Sequence, residues 1–484
     1  LIADCILRQP PAPVPDDALA AGKLEEQLKS SAALLESFIA GNPRDPQAPD
    51  ALIKFGLCQQ RLVALLAQPP EKLRALASAR SAYETFFKVY TKHPLFPQAV
   101  FERAKVMALA NDLNNASNEL RRFVNDPLKQ SAVAPLALVQ LATMLRSQNK
   151  SAEAADILAK GREFHEPRLQ NDPERSAWLT LLRYHHGVCL REAGKLPEAR
   201  AVFDLVIKQS PGKPEAIEAA LRLGQCLKEE GQLRLDAGHK LLKSPKKEEV
   251  ALAQKSLEDG YRSIRDAVAF LETQADQLKK IETQQDIRAR MLYEAAWGTR
   301  ILSEVEMHSA RAQIAKDIVS KLGPQASKFA PPEVPLAKVP LQPLEKKALG
   351  LYRNLIEGHT DVPLAVEARF ELAELLAQRH DHDEALKLLT DVLDKEPSPE
   401  LTEKARLRIG TIHAAKGNIK GALGQFDAIV QNPKSPLVAW AQYRAGETLI
   451  QHKQFDEAIK RLSLFRDNGP YQNVQGLSDR ALLR

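Results

Sequence analysis

The residues of this chain that could do chemistry are four cysteines and two clusters of histidine. Cys5, Cys58, Cys189 and Cys226 have the number and type for a tetrahedral zinc site or for two disulfides. Each, however, lies two residues after a small residue, at Ala3, Gly56, Gly187 and Gly224. One position recurring in four similar segments is expected to carry a small apolar side chain packed against the next helical pair, a place that suits a free thiol. Stacked segments about 10 Å apart would also hold the α carbons beyond the roughly 7 Å that a disulfide can bridge. His380-Asp381-His382-Asp383 offers metal-ligand types, yet it occupies a turn and helix start that other segments fill with Gly417-Asn418-Ile419 or Lys453-Gln454-Phe455. Asp381, followed by Glu384, therefore reads as a helix N-cap of the capping-box kind. His185 and His186 are adjacent in a helical stretch, so they face different directions. The chain has no phosphate-cradling glycine loop ending in Lys-Ser or Lys-Thr, no His-Glu-x-x-His and no Gly-x-Ser-x-Gly. The expectation is no catalytic, cofactor-binding or metal-ligating residue.

What positions these residues is a ladder. Gly187, Ala199, Phe203, Val206 and Pro211 recur with the same offsets as Ala373, Ala385, Leu389, Val392 and Pro397, and as Gly446, Ala458, Leu462, Phe465 and Pro470. In each first helix apolar residues recur at helical spacing around the small one, as in Leu407, Ile409, Gly410 and Ile412. Gly194 and Gly417 sit where a helix end favours a left-handed residue. Proline closes the second helix because it lacks the next amide donor, and Pro97, Pro135, Pro363 and Pro436 are placed to open the following first helix. The small residues are expected to let the hairpin backbones approach while Phe203, Leu389 or Phe426 fills the space beside them. Segments that cannot bury their apolar faces alone must stack, so the fold class is an all-α solenoid of helical hairpins.

Composition agrees with that class and removes others. In 484 residues, 68 Lys and Arg face 62 Asp and Glu, with the signs interleaved. A nucleic-acid binder would show a clustered basic stripe, and the one dense basic run, Lys243, Lys246 and Lys247, meets Glu248 and Glu249 at once. No stretch approaches the eighteen or so apolar residues of a membrane span. Both ends read as parts of repeats, Leu1–Arg8 as the tail of a first helix and Tyr471–Arg484 as a linker with an opening helix, which suggests a segment of a longer protein.

Eight small first-helix residues mark the repeats: Gly56, Ala104, Ala142, Gly187, Gly224, Ala373, Gly410 and Gly446. The rhythm breaks at Pro10, Pro11, Pro13 and Pro15, and again at Pro69 and Pro70, after which Ala82, Phe86, Val89 and Pro94 rejoin the ladder. The third break is large. Two long helices are expected, from about Ala251 to Asp286 and from about Ile287 to Lys321. Pro331, Pro332, Pro335, Pro340 and Pro343 then form a semi-rigid, polyproline-like linker, and the ladder resumes at Ala348, Tyr352 and Leu355. The expected organisation is an N-terminal array over 1–230, an insertion and linker over 231–343 and a C-terminal array over 344–484.

The ladder resembles the tetratricopeptide repeat. That family places Gly or Ala at positions 8 and 20 of a repeat, bulky residues at 11 and 24 and proline at 32, which here are Gly187, Ala199, Leu190, Phe203 and Pro211. Ala373 to Gly410 spans 37 residues and Gly410 to Gly446 spans 36, longer than the roughly 34 of the commonest form. The loops Asn432-Pro433-Lys434-Ser435-Pro436-Leu437 and His93-Pro94-Leu95-Phe96-Pro97 are similar to those of bacterial cell-envelope members, such as outer-membrane assembly lipoproteins and Tol-Pal accessory proteins. The resemblance implies a right-handed superhelix whose first helices line a concave groove that binds peptides or extended protein segments, without catalysis. The family's carboxylate clamp needs Lys and Asn at positions 5 and 9 of a first helix. Here those positions hold Phe101 and Lys105, Tyr184 and Val188, or Leu407 and Thr411, so a co-chaperone role loses its basis. By the same analogy the groove candidates are Arg222, Lys404, Arg408 and Arg444, the acidic Glu371, Glu374 and Glu447, and the aromatic Tyr184, Phe370, Trp440 and Tyr443. The expected partner is a protein or peptide, with self-association of a structural spacer as the alternative.

Overall fold

The computed structural model describes residues 2–8, 18–321, 333–359 and 363–484. Pro10, Pro11, Pro13, Pro15, Pro331 and Pro332 fall outside these. Among the described residues there are helices and no strand, and the chain divides into two compact units, 1–226 and 227–484.

The first unit contains α1 (Ile2–Leu7), α2 (Ala18–Gly41), α3 (Ala48–Leu65), α4 (Pro69–Val89), α5 (Phe96–Leu109), α6 (Leu113–Arg121), α7 (Ala134–Ser147), α8 (Ser151–Gln170), α9 (Ser176–Glu192) and α10 (Leu196–Gln209). Helix α11 (Pro214–Leu241) is divided between the units. The second unit continues with α12 (Lys247–Gln277), α13 (Gln285–Lys321), α14 (Pro343–Gly358), α15 (Pro363–Gln378), α16 (His382–Asp394), α17 (Pro399–Ala415), α18 (Ile419–Val430), α19 (Val438–Gln451) and α20 (Phe455–Leu462). It ends with the short α21 (Leu464–Asp467), α22 (Gly469–Gln472) and α23 (Ser478–Leu483).

The close approach implied by the ladder is present. A Cβ on Gly187 would sit 2.6 Å from the Phe203 ring, one on Gly410 2.5 Å from Phe426, and one on Gly446 2.6 Å from Leu462. Phe203 and Phe426 are fully buried there. Gly56 follows the rule with a different residue, Tyr83, whose hydroxyl accepts a hydrogen bond from Gln60 Nε2 at 2.7 Å. Val89, expected on an apolar rung, is instead 60% exposed. The Tyr90 and His93 rings, 5.4 and 5.9 Å from the Phe86 ring, fill that level of the core.

The hairpin turns share one backbone device. Asn111, Asn149, Gly194, His380, Gly417 and Lys453 all have positive φ, between 59 and 77°, and each lies seven residues after the small residue of its first helix. The next amide reaches back to close the helix, as in Lys195 N to Leu190 O at 2.9 Å and Asn418 N to His413 O at 2.8 Å. That six-residue loop satisfies carbonyls the helix end would leave unpaired. Only two of the six carry the glycine that favours this conformation.

Two repeats lack the turn. Seven residues after Gly56 stands Val63, and α3 runs on to Leu65. Seven after Gly224 stands Gly231, which remains helical within α11. Its missing side chain serves another contact, since a Cβ there would meet Ile264 Cγ1 at 2.6 Å and the Gly260 carbonyl at 2.9 Å on α12. Gly238 approaches Leu257, and Gly298 on α13 approaches Val268, at 2.7 Å by the same measure. The long helices are thus joined by the small-residue logic of the hairpins, around Leu235, Ile264, Val268 and Leu302.

Several expectations are corrected. Helix α12 ends at Gln277, well before Asp286, and a short 3-10 turn over Glu282–Gln284 leads into α13. Pro436 lies in a turn, and α19 begins two residues later at Val438. Residues 333–342 are a packed strap rather than a spacer. Val334 and Val339 are buried with Ala315, and Arg379 Nη1 donates to the Leu336 and Val339 carbonyls at 2.8 and 2.6 Å. The second-helix residues Ala348, Tyr352 and Leu355 are fully buried, and α14 packs against α13 as its hairpin partner.

Candidate partner-binding site

Helices α15, α17 and α19 are the first helices of three consecutive hairpins. Residues three, four and seven apart lie on one face of a helix. That spacing sets Phe370 and Glu374 in a line on α15, Lys404, Leu407, Arg408 and Thr411 on α17, and Trp440 and Arg444 on α19. Together with Leu437 these residues line one cleft of about 240 Å³.

The charges in the cleft are arranged unequally. Arg408 grips both carboxylate oxygens of Glu374 through Nε and Nη2, a two-pronged pair that fixes the guanidinium plane. Lys404 pairs with Glu400 one turn away at 2.6 Å, and Arg444 with Glu447 at 2.9 Å. Lys404 and Arg444 are exposed, and ion pairs of that kind are weak enough to yield to a competing ligand. The lining therefore presents three cations and one carboxylate, and that carboxylate is already held by Arg408.

The other candidate residues are placed elsewhere. Glu371 points to α13 and pairs with Arg300, and burial pushes its carboxyl above the usual range. Tyr443 is 5% exposed in a core with Phe465 and Leu477, and its hydroxyl donates to Glu447 at 2.6 Å. Tyr184 and Arg222 belong to the first unit. Tyr184 stacks at a tilt 6.3 Å from Phe203, and Arg222 bonds Glu218 at 2.8 Å. Leu407 and Thr411, named above only as clamp positions, and Leu437 complete the cleft without having been groove candidates. The helical spacing from Lys404 would have found the first two.

The chemistry-bearing residues take structural places. No disulfide joins the four cysteines, and Cys58, Cys189 and Cys226 are buried. Burial pushes the Cys58 thiol up to about 11 and Cys189 up to about 12, which leaves both protonated at neutral pH. Cys5 departs from the expected packing and is exposed. Helix α1 packs on α2 and α3 through the face carrying Ala3 and Ile6, and Cys5 lies off that face. Among the described residues no group of three His, Cys, Asp or Glu is placed to hold a metal ion. Asp381 does cap α16, accepting from Glu384 N at 3.4 Å. The reciprocal half of the box is absent, because the Glu384 carboxylate bonds Arg353 at 2.9 Å and Asp381 N closes the preceding helix on Leu376 O. A full capping box occurs instead at Gln342 and Glu345. Burial lowers His185 and His186 to about 4 each, so both rings are neutral.

Two segments match family models by sequence: residues 337–464 match a tetratricopeptide repeat-like domain, and residues 182–212 match a tetratricopeptide repeat. No curated protein sequence matches the chain. Among solved structures, a monomeric IFIT1 mutant with Gppp-AAAA overlays with TM-score 0.38 at 12% identity, covering 91% of this chain and 76% of that one. The P58(IPK) TPR domain gives 0.25 at 17%, covering 80% and 98%. A human IFIT1 dimer with PPP-AAAA gives 0.30 at 15%, covering 89% and 99%. Overlays with scores this low carry no argument about the site.

Proposed function

We propose that the chain is a non-enzymatic scaffold that binds an acidic segment of a partner protein in the cleft between α15, α17 and α19. The carrying observation is the lining itself, in which Phe370 and Trp440 flank Lys404, Arg408 and Arg444. Tetratricopeptide repeats are in general protein-interaction modules, and the 337–464 match spans α14 to α20. A segment with carboxylates spaced to meet Lys404 and Arg444, and an apolar residue to rest on Trp440, fits this chemistry. A bacterial envelope assembly is the setting suggested by the loops 93–97 and 432–437 alone.

Selection from a random peptide library on the intact chain tests the reading. Enriched acidic peptides should bind the wild type and lose about tenfold or more in affinity with Lys404→Glu plus Arg444→Glu. Enrichment of peptides without acidic residues, or binders indifferent to that double substitution, would overturn it.

Self-association is favoured by one separate observation. Phe455 and Ile459 on α20 and Leu482 on α23 are 56, 64 and 56% exposed around a cleft of about 310 Å³. Sedimentation over a range of concentrations decides it, and a persistent monomer would remove this second reading.

A further inference from the structure

A cleft of about 520 Å³ in the first unit lies between the 122–130 turn, α7 and α8. Its floor is apolar, formed by Phe123, Val124, Leu138 and Ile157. Its polar groups are of one dominant sign. Lys129, Lys160 and Arg168 line it, with Glu163 as the only acidic lining residue.

Three features distinguish this cleft from an ordinary solvated surface. The Lys129 ammonium lies 4.3 Å and the Arg168 guanidinium 3.9 Å from the centroid of one ring, Phe164. Each cation is attracted to the ring, while the two like charges gathered at one ring repel each other. Among the described residues no carboxylate lies within ion-pair distance of Lys129, Lys160 or Arg168, although arginines elsewhere in this unit, such as Arg146, Arg162 and Arg183, are held by glutamates. His165 also lines the cleft, is only 4% exposed, and its Nε2 has no hydrogen-bond partner. A buried polar nitrogen left unpaired is costly and marks a place where a ligand atom would fit. Burial, followed by the charges of Arg168 and Lys129, lowers the His165 ring to about 4. It therefore meets a ligand as a neutral imidazole.

We propose that this cleft is a binding site for a small organic anion, with the acidic head drawn to the Lys129 and Arg168 cations beside Phe164, the body on the apolar floor and a polar atom at His165 Nε2. The volume suits such a ligand, since small-molecule sites run from about 300 to 1,000 Å³. An anion would neutralise both cations beside Phe164 and give the imidazole its missing partner. Carboxylate and phosphate heads share this chemistry. The site is independent of the partner-binding cleft and stands or falls without it.

Titration calorimetry on the full chain with phenyl phosphate, phenylpropionate, inorganic phosphate and benzyl alcohol tests the proposal. Saturable binding of either aromatic anion is expected, at least about tenfold tighter than inorganic phosphate, which lacks the body, and than benzyl alcohol, which lacks the charge. The preferred aromatic anion identifies the head. Lys129→Gln and Arg168→Gln should each weaken binding by about fivefold or more, and the exposed Lys160→Gln repeats the test should either variant fold poorly. The His165 ring protons should shift on binding. Absence of saturable binding by both aromatic anions, or affinities unchanged in all three variants, would overturn the proposal.

Discussion

Glycine has opposite meanings at different positions of this chain, and substitution to alanine should separate them. Gly350 and Gly424 are inside α14 and α18 with no atom near an added Cβ. Alanine at either should raise stability by about 0.5–1 kcal/mol through helix propensity alone. At Gly231 the added Cβ meets the Gly260 carbonyl at 2.9 Å, a backbone atom that cannot rotate away, so Gly231→Ala should lower the melting temperature instead. Gly187→Leu, driven into Phe203, should cost about 1–3 kcal/mol. Chemical denaturation of the four variants checks the signs. The buried histidines make a pH prediction at the same scale. His165, His185 and His186 have folded pKa values near 4 against an ordinary 6.5, so below that value the unfolded chain binds protons the folded one refuses. Their contribution is present above pH 6.5 and is lost as pH falls towards 4. Replacing His186 with Gln should flatten the stability profile in that window, and an unchanged profile would contradict the assignment.

Among the elements, the left-handed turns and the strap carry the strongest expectations. Lys453 at φ 61° and His380 at φ 63° hold a conformation that costs an L-residue about 1 kcal/mol. Lys453→Gly should therefore stabilise and Gly417→Ala destabilise, each by about that amount, as read by thermal unfolding. The strap over 333–342 depends on Arg379, which grips Glu345 through Nε and Nη2 while its Nη1 bonds the strap carbonyls. Glu345 is 2% exposed, so Arg379→Met would leave a buried carboxylate unpaired, at about 3–5 kcal/mol. Limited proteolysis should then cut within 333–342, and a strap as resistant as the wild type would refute that role. These elements also show what was legible in the sequence. The hairpins were, because Gly187, Ala199 and Phe203 must occupy fixed offsets for two helices to touch. The strap was not, because its prolines give the same pattern in a free linker as in a packed one, and only Arg379, some forty residues onward in sequence, distinguishes them. Gly231 was equally ambiguous, since glycine serves both a turn and a helix crossing.

For the molecule as a whole, the two units raise different functional questions. Six of the groove candidates, Phe370, Glu374, Lys404, Arg408, Trp440 and Arg444, meet in one cleft because repeat position dictates which way a first-helix residue points. Glu371 and Tyr443 were misleading for a reason the pattern does not encode. A neighbouring helix, α13, supplies Arg300 to one, and the terminal helices bury the other. The cleft over 123–168 was invisible, since its residues come from a turn and a second helix with no repeat signature. The most direct test of the account is hydrogen–deuterium exchange of the intact chain with and without a selected acidic peptide. The account predicts slowed exchange confined to α15, α17 and α19 around residues 370–374, 404–411 and 437–444, lost when Lys404 and Arg444 are reversed. Protection on α16, α18 or α20 instead, or no protection by a peptide that binds, would contradict it.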